Sequence, residues 1–164
     1  MKIAKIPISL RKDEIYSIAE KYKSNKYYQI KHLLHNNIIL ENDDSSIDCI
    51  LNGDSIKIIE FLEDCDLYYY DSLIKNHKNS PMMFNILFSY HEKELKKIVL
   101  NFPIDTTVME MKKSFLCKME IPFKFIDCFI FYFECKKIPD NALLKNIFKN
   151  LSNNMSVTET RLVS

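Results

Sequence analysis

Residues 96 to 125 read KKIVLNFPIDTTVMEMKKSFLCKMEIPFKF, and this stretch restricts the fold more than any other. It opens on a strand-like run, KKIVLNF. Pro103, which has no N–H to give, stops that strand. Thr107 and Glu110 then form the Thr-x-x-Glu signature of a capped helix start. Val108, Met111, Phe115 and Met119 recur at helical spacing and predict one buried stripe. Ile121-Pro122 ends the helix, because the residue before a proline is pushed away from helical backbone angles.

The flanking segments extend the pattern. MMFNILFSY (82–90) predicts a strand, HEKEL a polar turn, and the two strands together a hairpin. After the helix, FIDCFIFYF (125–133) reads as the strongest strand of the chain. ECKKIPDNALLKNIF predicts a short edge strand, a turn and about one helical turn. SVTETRLV (156–163) alternates like a closing strand. The order is strand, strand, helix, strand, strand, short helix, strand, which is an α+β class and the β-grasp order. In detail, the hairpin, the P-x-D-T-T helix start, the Ile-Pro exit and the late strand resemble the ubiquitin-like superfamily over residues 82 to 163.

The first half reads as a reduced copy of that unit. MKIAKIPISL predicts a strand leading into a helix at 11 to 23, with Ile15, Ile18, Ala19 and Tyr22 on one face. YYQIKHLL (27–34) and NIILEND (37–43) predict two strands, and residues 45 to 64 a short helix, a Gly53 turn and a closing strand. A clear first hairpin is missing, so the unit is either reduced or borrows a strand; a single merged domain is the rival arrangement. The expected units are residues 1–76, ending in an acidic, tyrosine-rich tail, and residues 82–164. The boundary is expected near 76 to 81, where Asn, Ser and Lys accumulate before Pro81.

Composition excludes several classes of function. A chain of 164 residues with 47 % hydrophobic and 27 % charged residues is globular. A net charge of +1 gives no global basic field. No apolar run reaches the roughly 18 residues of a membrane helix. The N-terminal segment becomes charged too early for a secretory signal, so a cytoplasmic or nuclear location is expected. Gly53 is the one glycine, so no phosphate-cradling loop is present. Cys49, Cys65, Cys117, Cys128 and Cys135 lie far apart and are expected to be small buried hydrophobes in a reducing compartment. His32, His35, His77 and His91 fall in no triad or zinc spacing. Paired carboxylates such as Asp43-Asp44 sit in polar stretches. We therefore expect no catalytic residues, no metal, no cofactor and no small-molecule substrate. TETRLVS at the end of the sequence carries no glycine pair, so conjugation to lysine is not expected.

Binding is what remains. In KYKSNKYYQIKH, Lys23, Lys26 and Lys31 are positioned to neutralise phosphates, and Tyr27 and Tyr28 to stack on bases, with His32 beside them. The bland alternative is a helix end with solvated lysines. A second set comprises Lys75, His77, Lys78, Lys136, Lys137, Lys145 and Lys149, which form one basic face on RNA if the two units pack side by side. The stretch from Glu60 to Asp71 holds no Lys or Arg and either meets a basic protein or keeps the linker soluble. Apolar residues near Ile130 offer a sheet face for a protein partner.

SNKYYQIKHLLH and SIKIIEFLEDCDLYYYD also resemble the lysine-tyrosine segment and the acidic-aromatic tail of a small eukaryotic ubiquitin-like family. KKIVLNFPIDTTVMEMKKSFLCKMEIP is similar to that family's early hairpin and helix. The family includes a microsporidian ribosome dormancy factor, and a sequence this rich in Lys, Asn and Ile suits an A/T-rich genome. The resemblance implies a non-catalytic monomeric factor bound to rRNA and ribosomal proteins of an idle ribosome. It would occupy a tRNA site, the exit site being the first expectation, and inhibit translation. The alternative is a ubiquitin-like adaptor for a protein partner.

Overall fold

The computed structural model describes residues 2–5, 12–40, 55–63, 65–80, 82–92 and 94–160, without the side chains of residues 2–5 and 12–14. Two separate sheets form, and the chain divides after Glu63 into a first unit, Met1–Glu63, and a second, Asp64–Ser164.

In the second unit the strands are β5 (Met83–His91), β6 (Leu95–Pro103), β7 (Phe129–Phe133), β8 (Lys136–Lys137) and β9 (Ser152–Glu159). They lie in the order β6-β5-β9-β7-β8, with β5 parallel to β9 and every other pair antiparallel. A helix, α3 (Val108–Lys118), follows β6 and covers one face, and a single turn, α4 (Leu144–Ile147), precedes β9. This is the β-grasp arrangement.

Strict alternation builds its core. Phe84, Ile86, Phe88 and Tyr90 are buried on β5, and Met155 and Val157 on β9. Phe88, Phe115 and Phe131 meet at centroid separations of 5.2 to 6.2 Å, mostly edge to face, the arrangement ring quadrupoles favour. The capping box forms as expected: the Glu110 N–H donates to Thr107 Oγ1 at 3.2 Å and the Thr107 N–H to Glu110 Oε2 at 2.8 Å. Two further amides at the start of α3, Val108 and Met109, donate to the carbonyls of Ala142 and Asp140. At its other end Glu120 takes φ 56°, and Ile121 and Glu120 donate back to Leu116 and Cys117. That is a left-handed helix stop of the kind usually made with glycine.

Three expectations change here. Residues 125 to 128 belong to a 3-10 turn, Phe123–Cys128, and the strand runs only over Phe129–Phe133. The closing strand is Ser152–Glu159; Arg161 to Val163, which the sequence placed in it, lie outside the described residues. The stripe on α3 is also wider than predicted: Lys112, Ser114, Leu116 and Cys117 are buried beside Val108, Met111 and Phe115, while Met119 is half-buried beyond the helix end. Lys112 is 4 % exposed, ion-paired with Asp140, and holds its ammonium 5.2 Å from the Phe131 ring centroid.

The acidic, tyrosine-rich segment belongs with the second unit and not with the first, as the sequence had it. Its helix, α2 (Tyr69–Asn76), packs against α3 and sets its aromatic residues against the 3-10 turn and β6. Tyr69 meets Phe123 edge-on at 5.4 Å and Tyr70 meets Phe102 at 5.7 Å. The Tyr70 hydroxyl donates to the Asn101 carbonyl and accepts from the Asn101 N–H, both at 3.1 Å. Asp71 pairs with Lys118 at 2.8 Å.

The first unit contains β1 (Lys2–Lys5), α1 (Lys12–Lys21), β2 (Gln29–His35), β3 (Ile38–Ile39) and β4 (Ser55–Phe61). The order is β1-β4-β2-β3, every pair antiparallel. β4, β2 and β3 repeat the order and directions of β9, β7 and β8. β1 takes the place of β5 but runs against the closing strand. All four strands come from the unit itself. Ile15, Ala19, Leu33, Leu40, Ile56 and Ile58 form its core. Tyr22, expected on the buried face of α1, is 48 % exposed beyond the helix end. The expected helix after residue 45 and the Gly53 turn lie outside the described residues.

Candidate functional site

The lysine-tyrosine segment of the first unit is the loop that joins α1 to β2. Asn25 organises it: its side-chain Oδ1 accepts from the Tyr27 N–H at 2.8 Å and its carbonyl from the Tyr28 N–H at 3.3 Å. Ser24 ties the loop to β4, donating through its N–H and hydroxyl to the Glu60 carboxylate at 2.7 and 2.6 Å. Lys23 pairs with Glu20 at 2.5 Å, so its charge is locally balanced. Lys26 is exposed and lies 5.1 Å from the Tyr27 ring centroid. Tyr27, Tyr28 and His32 are half-buried. Between Ile30 and His32 the ladder shifts register, and exposed Lys31 is the extra residue of this β-bulge. A bulge re-aims the side chain it carries.

The second set is divided. Lys75 stands in the last turn of α2, and Lys78 follows two residues past its end; both are exposed. α2 is tied to β6, one outer strand of the second sheet, whereas exposed Lys136 and Lys137 make up β8, the other outer strand. Lys145 is paired with Asp105 at 2.5 Å, and Lys149 is exposed. Lys31, Lys75, Lys78, Lys136 and Lys137 enter no ion pair among the described residues.

Three carboxylates of the acidic stretch are engaged at the surface of their own unit. Glu60 serves Ser24, Asp71 serves Lys118, and the Asp66 side chain accepts from the Tyr68 N–H at 3.0 Å. The cysteines differ among themselves. Cys117 is buried, Cys65 and Cys128 are half-buried, and Cys135 is exposed in the β7–β8 turn, contrary to the buried role expected of all five; Cys49 lies outside the described residues. Burial, with the neighbouring Cys117, Glu120 and Asp66, pushes the Cys65 thiol up to about 11. Burial and a hydrogen bond to Glu159, 2.8 Å away, raise the Tyr90 hydroxyl well above the usual phenol range. Among the described residues no cluster of three or more His, Cys, Asp or Glu is placed to hold a metal ion, and no helix is long and apolar enough to cross a membrane.

Sequence reasoning reached the outward face of the second sheet only through the apolar residues near Ile130 and missed the polar and basic residues that share it. It is legible in the alternation of 85–91, 95–101 and 152–158, whose outward residues are mostly Asn, Ser, Thr, Leu and Val. Ile130 is half-buried on this face, and Val99, also on it, is 52 % exposed.

No family model matches the chain, and no curated protein sequence matches it. Among solved structures, the ubiquitin of Caldiarchaeum subterraneum is similar at 10 % identity, covering 50 % of this chain and 99 % of its own, with a TM-score of 0.44. The UBL domain of Dsk2 from Plasmodium falciparum is similar at 20 % identity, covering 48 % of this chain and 100 % of its own, with a TM-score of 0.41.

Proposed function

We propose that the chain is a non-catalytic, cytoplasmic RNA-binding factor of β-grasp fold that sits on the idle ribosome as a monomer, occupies a tRNA site and inhibits translation. The observation that carries this reading is the set of exposed lysines without ion-pair partners among the described residues, Lys31, Lys75, Lys78, Lys136 and Lys137. A lysine whose charge is not met within the protein is free to displace counterions from a phosphate backbone. Near Lys31, Tyr27, Tyr28 and His32 supply rings for stacking, and Lys26 adds a further cation. Lys23, already paired with Glu20, contributes least. The resemblance of SNKYYQIKHLLH to the dormancy-factor family agrees with this reading.

The test is sedimentation of a lysate from dormant cells through a sucrose gradient. Co-migration with ribosomal particles that is lost at high salt supports the reading, and migration at the top of the gradient removes it. Replacing Lys31, Lys75 and Lys78 together by Ala should release the protein from ribosomes without changing its melting temperature.

A second reading, an adaptor for a protein partner, is favoured by Val99 and Ile130 on the outward sheet face. Its binding would tolerate salt and would fail on Val99→Asp or Ile130→Asp.

A further inference from the structure

One row of side chains crosses the whole outward face of the second sheet. Lys137 pairs with Tyr132, Tyr132 with Ser156, Ser156 with Ser89, and Ser89 with Lys97. The inward residues of the same strands, Phe88, Phe131 and Val157 among them, are buried under α3, so the row stands on the opposite face. Its two lysines are exposed, enter no ion pair among the described residues, and are separated by four strand spacings, about 19 Å. No outward position on β5, β6, β7, β8 or β9 is an Asp or a Glu. The described carboxylates of this unit lie instead in turns, bends and helices or, like Glu159 with Tyr90, on the inner side.

A face with positive ends, a half-exposed phenol beside one of them, hydroxyls between and no carboxylate favours a polyanion that also offers flat rings. We propose that this face binds single-stranded RNA, with Lys97 and Lys137 on phosphates and Tyr132 stacked on a base. A carboxylate-free face attracts phosphates without local repulsion, and stacking on one aromatic ring tolerates any base. The inference rests on the RNA-binding half of the reading above and names a surface for it that the sequence did not.

The experiment is fluorescence anisotropy of the full chain with a labelled oligouridylate of about 12 nucleotides, within the span one small domain covers. Salt is varied between about 50 and 200 mM. Lys97→Ala with Lys137→Ala should reduce the slope of log affinity against log salt by about 1.4, since each single-strand phosphate contact contributes about 0.7. Tyr132→Ala should weaken binding by roughly tenfold or more, and Tyr132→Phe should restore it, because the ring and not the hydroxyl stacks. All variants should melt with the wild type. Unchanged RNA affinity in the face variants, with loss in Lys31→Ala or in Lys75→Ala with Lys78→Ala, overturns the sheet-face assignment and leaves the RNA reading in place. Loss of a salt-tolerant protein partner in the face variants, with RNA affinity unchanged, overturns it in favour of an adaptor. No binding of the oligouridylate at the lowest salt also overturns it. Ribosome sedimentation, if it persists then, must depend on protein contacts.

Discussion

The two units use one strand plan with different completeness. In the second, a full hairpin supplies both β5 and β6, and β5 runs parallel to the closing strand β9. In the first, β1 is the one strand described before the helix, and it lies antiparallel to the closing strand β4. Their cores differ accordingly. The second is filled by phenylalanines that meet edge to face, and the first by Ile, Leu and one Ala. Even the turn between the third and fourth strands of the full plan is shared. Asn36-Asn37 and Glu134-Cys135 both take positive φ at two consecutive residues, the two-residue hairpin geometry. The first unit uses asparagines, which tolerate that geometry; the second uses Glu and Cys, which do not. A larger core thus carries local strain that a smaller one avoids.

The two cores carry the largest expected effects. Phe115→Ala, which leaves a cavity beside Phe88 and Phe131, should destabilise the second unit by about 4 kcal/mol. Hydrogen exchange should show its amides losing protection while those of α1, β2 and β4 keep theirs. Simultaneous loss in both units would mean that they unfold as one. Ile58→Ala should cost the first unit about 3 kcal/mol and leave the second protected. Smaller effects sharpen the picture. Replacing Glu134 by Asn with Cys135 by Gly should stabilise the second unit by about 1 kcal/mol in urea unfolding, since these residues suit positive φ. Thr107→Ala should destabilise it by a similar amount through loss of the helix cap, about 1 kcal/mol. The smallest effect is pH-dependent. Cys65 holds its proton more tightly when folded than when unfolded, where its pKa is near 9.0. Its contribution to stability is therefore full below about pH 9 and is lost as pH rises towards about 11. Urea midpoints of wild type and Cys65→Ala should converge over that range. Parallel curves would mean that the thiol does not titrate differently on folding.

The second unit was legible because its signals are local. A capping box, a proline stop and alternating strands each depend on residues a few positions apart, and Thr107 with Glu110 behaves as that spacing dictates. Residues 125 to 128 misled because FIDC carries strand-forming residues, yet the chain there turns tightly before entering β7. The tyrosine-rich segment misled for a different reason. A short helix with charged neighbours resembles a linker until the partners of Tyr69 and Tyr70, the distant Phe123 and Phe102, are known. Lys112, outside the predicted stripe, is buried for the same reason, its partner Asp140 being far along the chain. The outward sheet row was hidden because it joins residues from all five strands, and only strand order and register bring Lys97, Tyr132 and Lys137 onto one face. Among the lysines near Tyr27, sequence gave no means of separating Lys23, met by Glu20, from Lys31, raised on a bulge.

Tyr70 also occupies a sheet edge. Among the described residues β6 is the last strand on its side, and the outermost strand of a sheet is where a further copy or a stray extended segment can join and continue the ladder. At Asn101 the two bonds such a newcomer would make are already made by a phenol. Any strand that zips along β6 must halt at Val99 or peel α2 away with it. The helix that sequence reading took for a tether thus acts as a terminator of growth, and Tyr70→Phe is the variant in which filaments or cross-chain ladders should first appear.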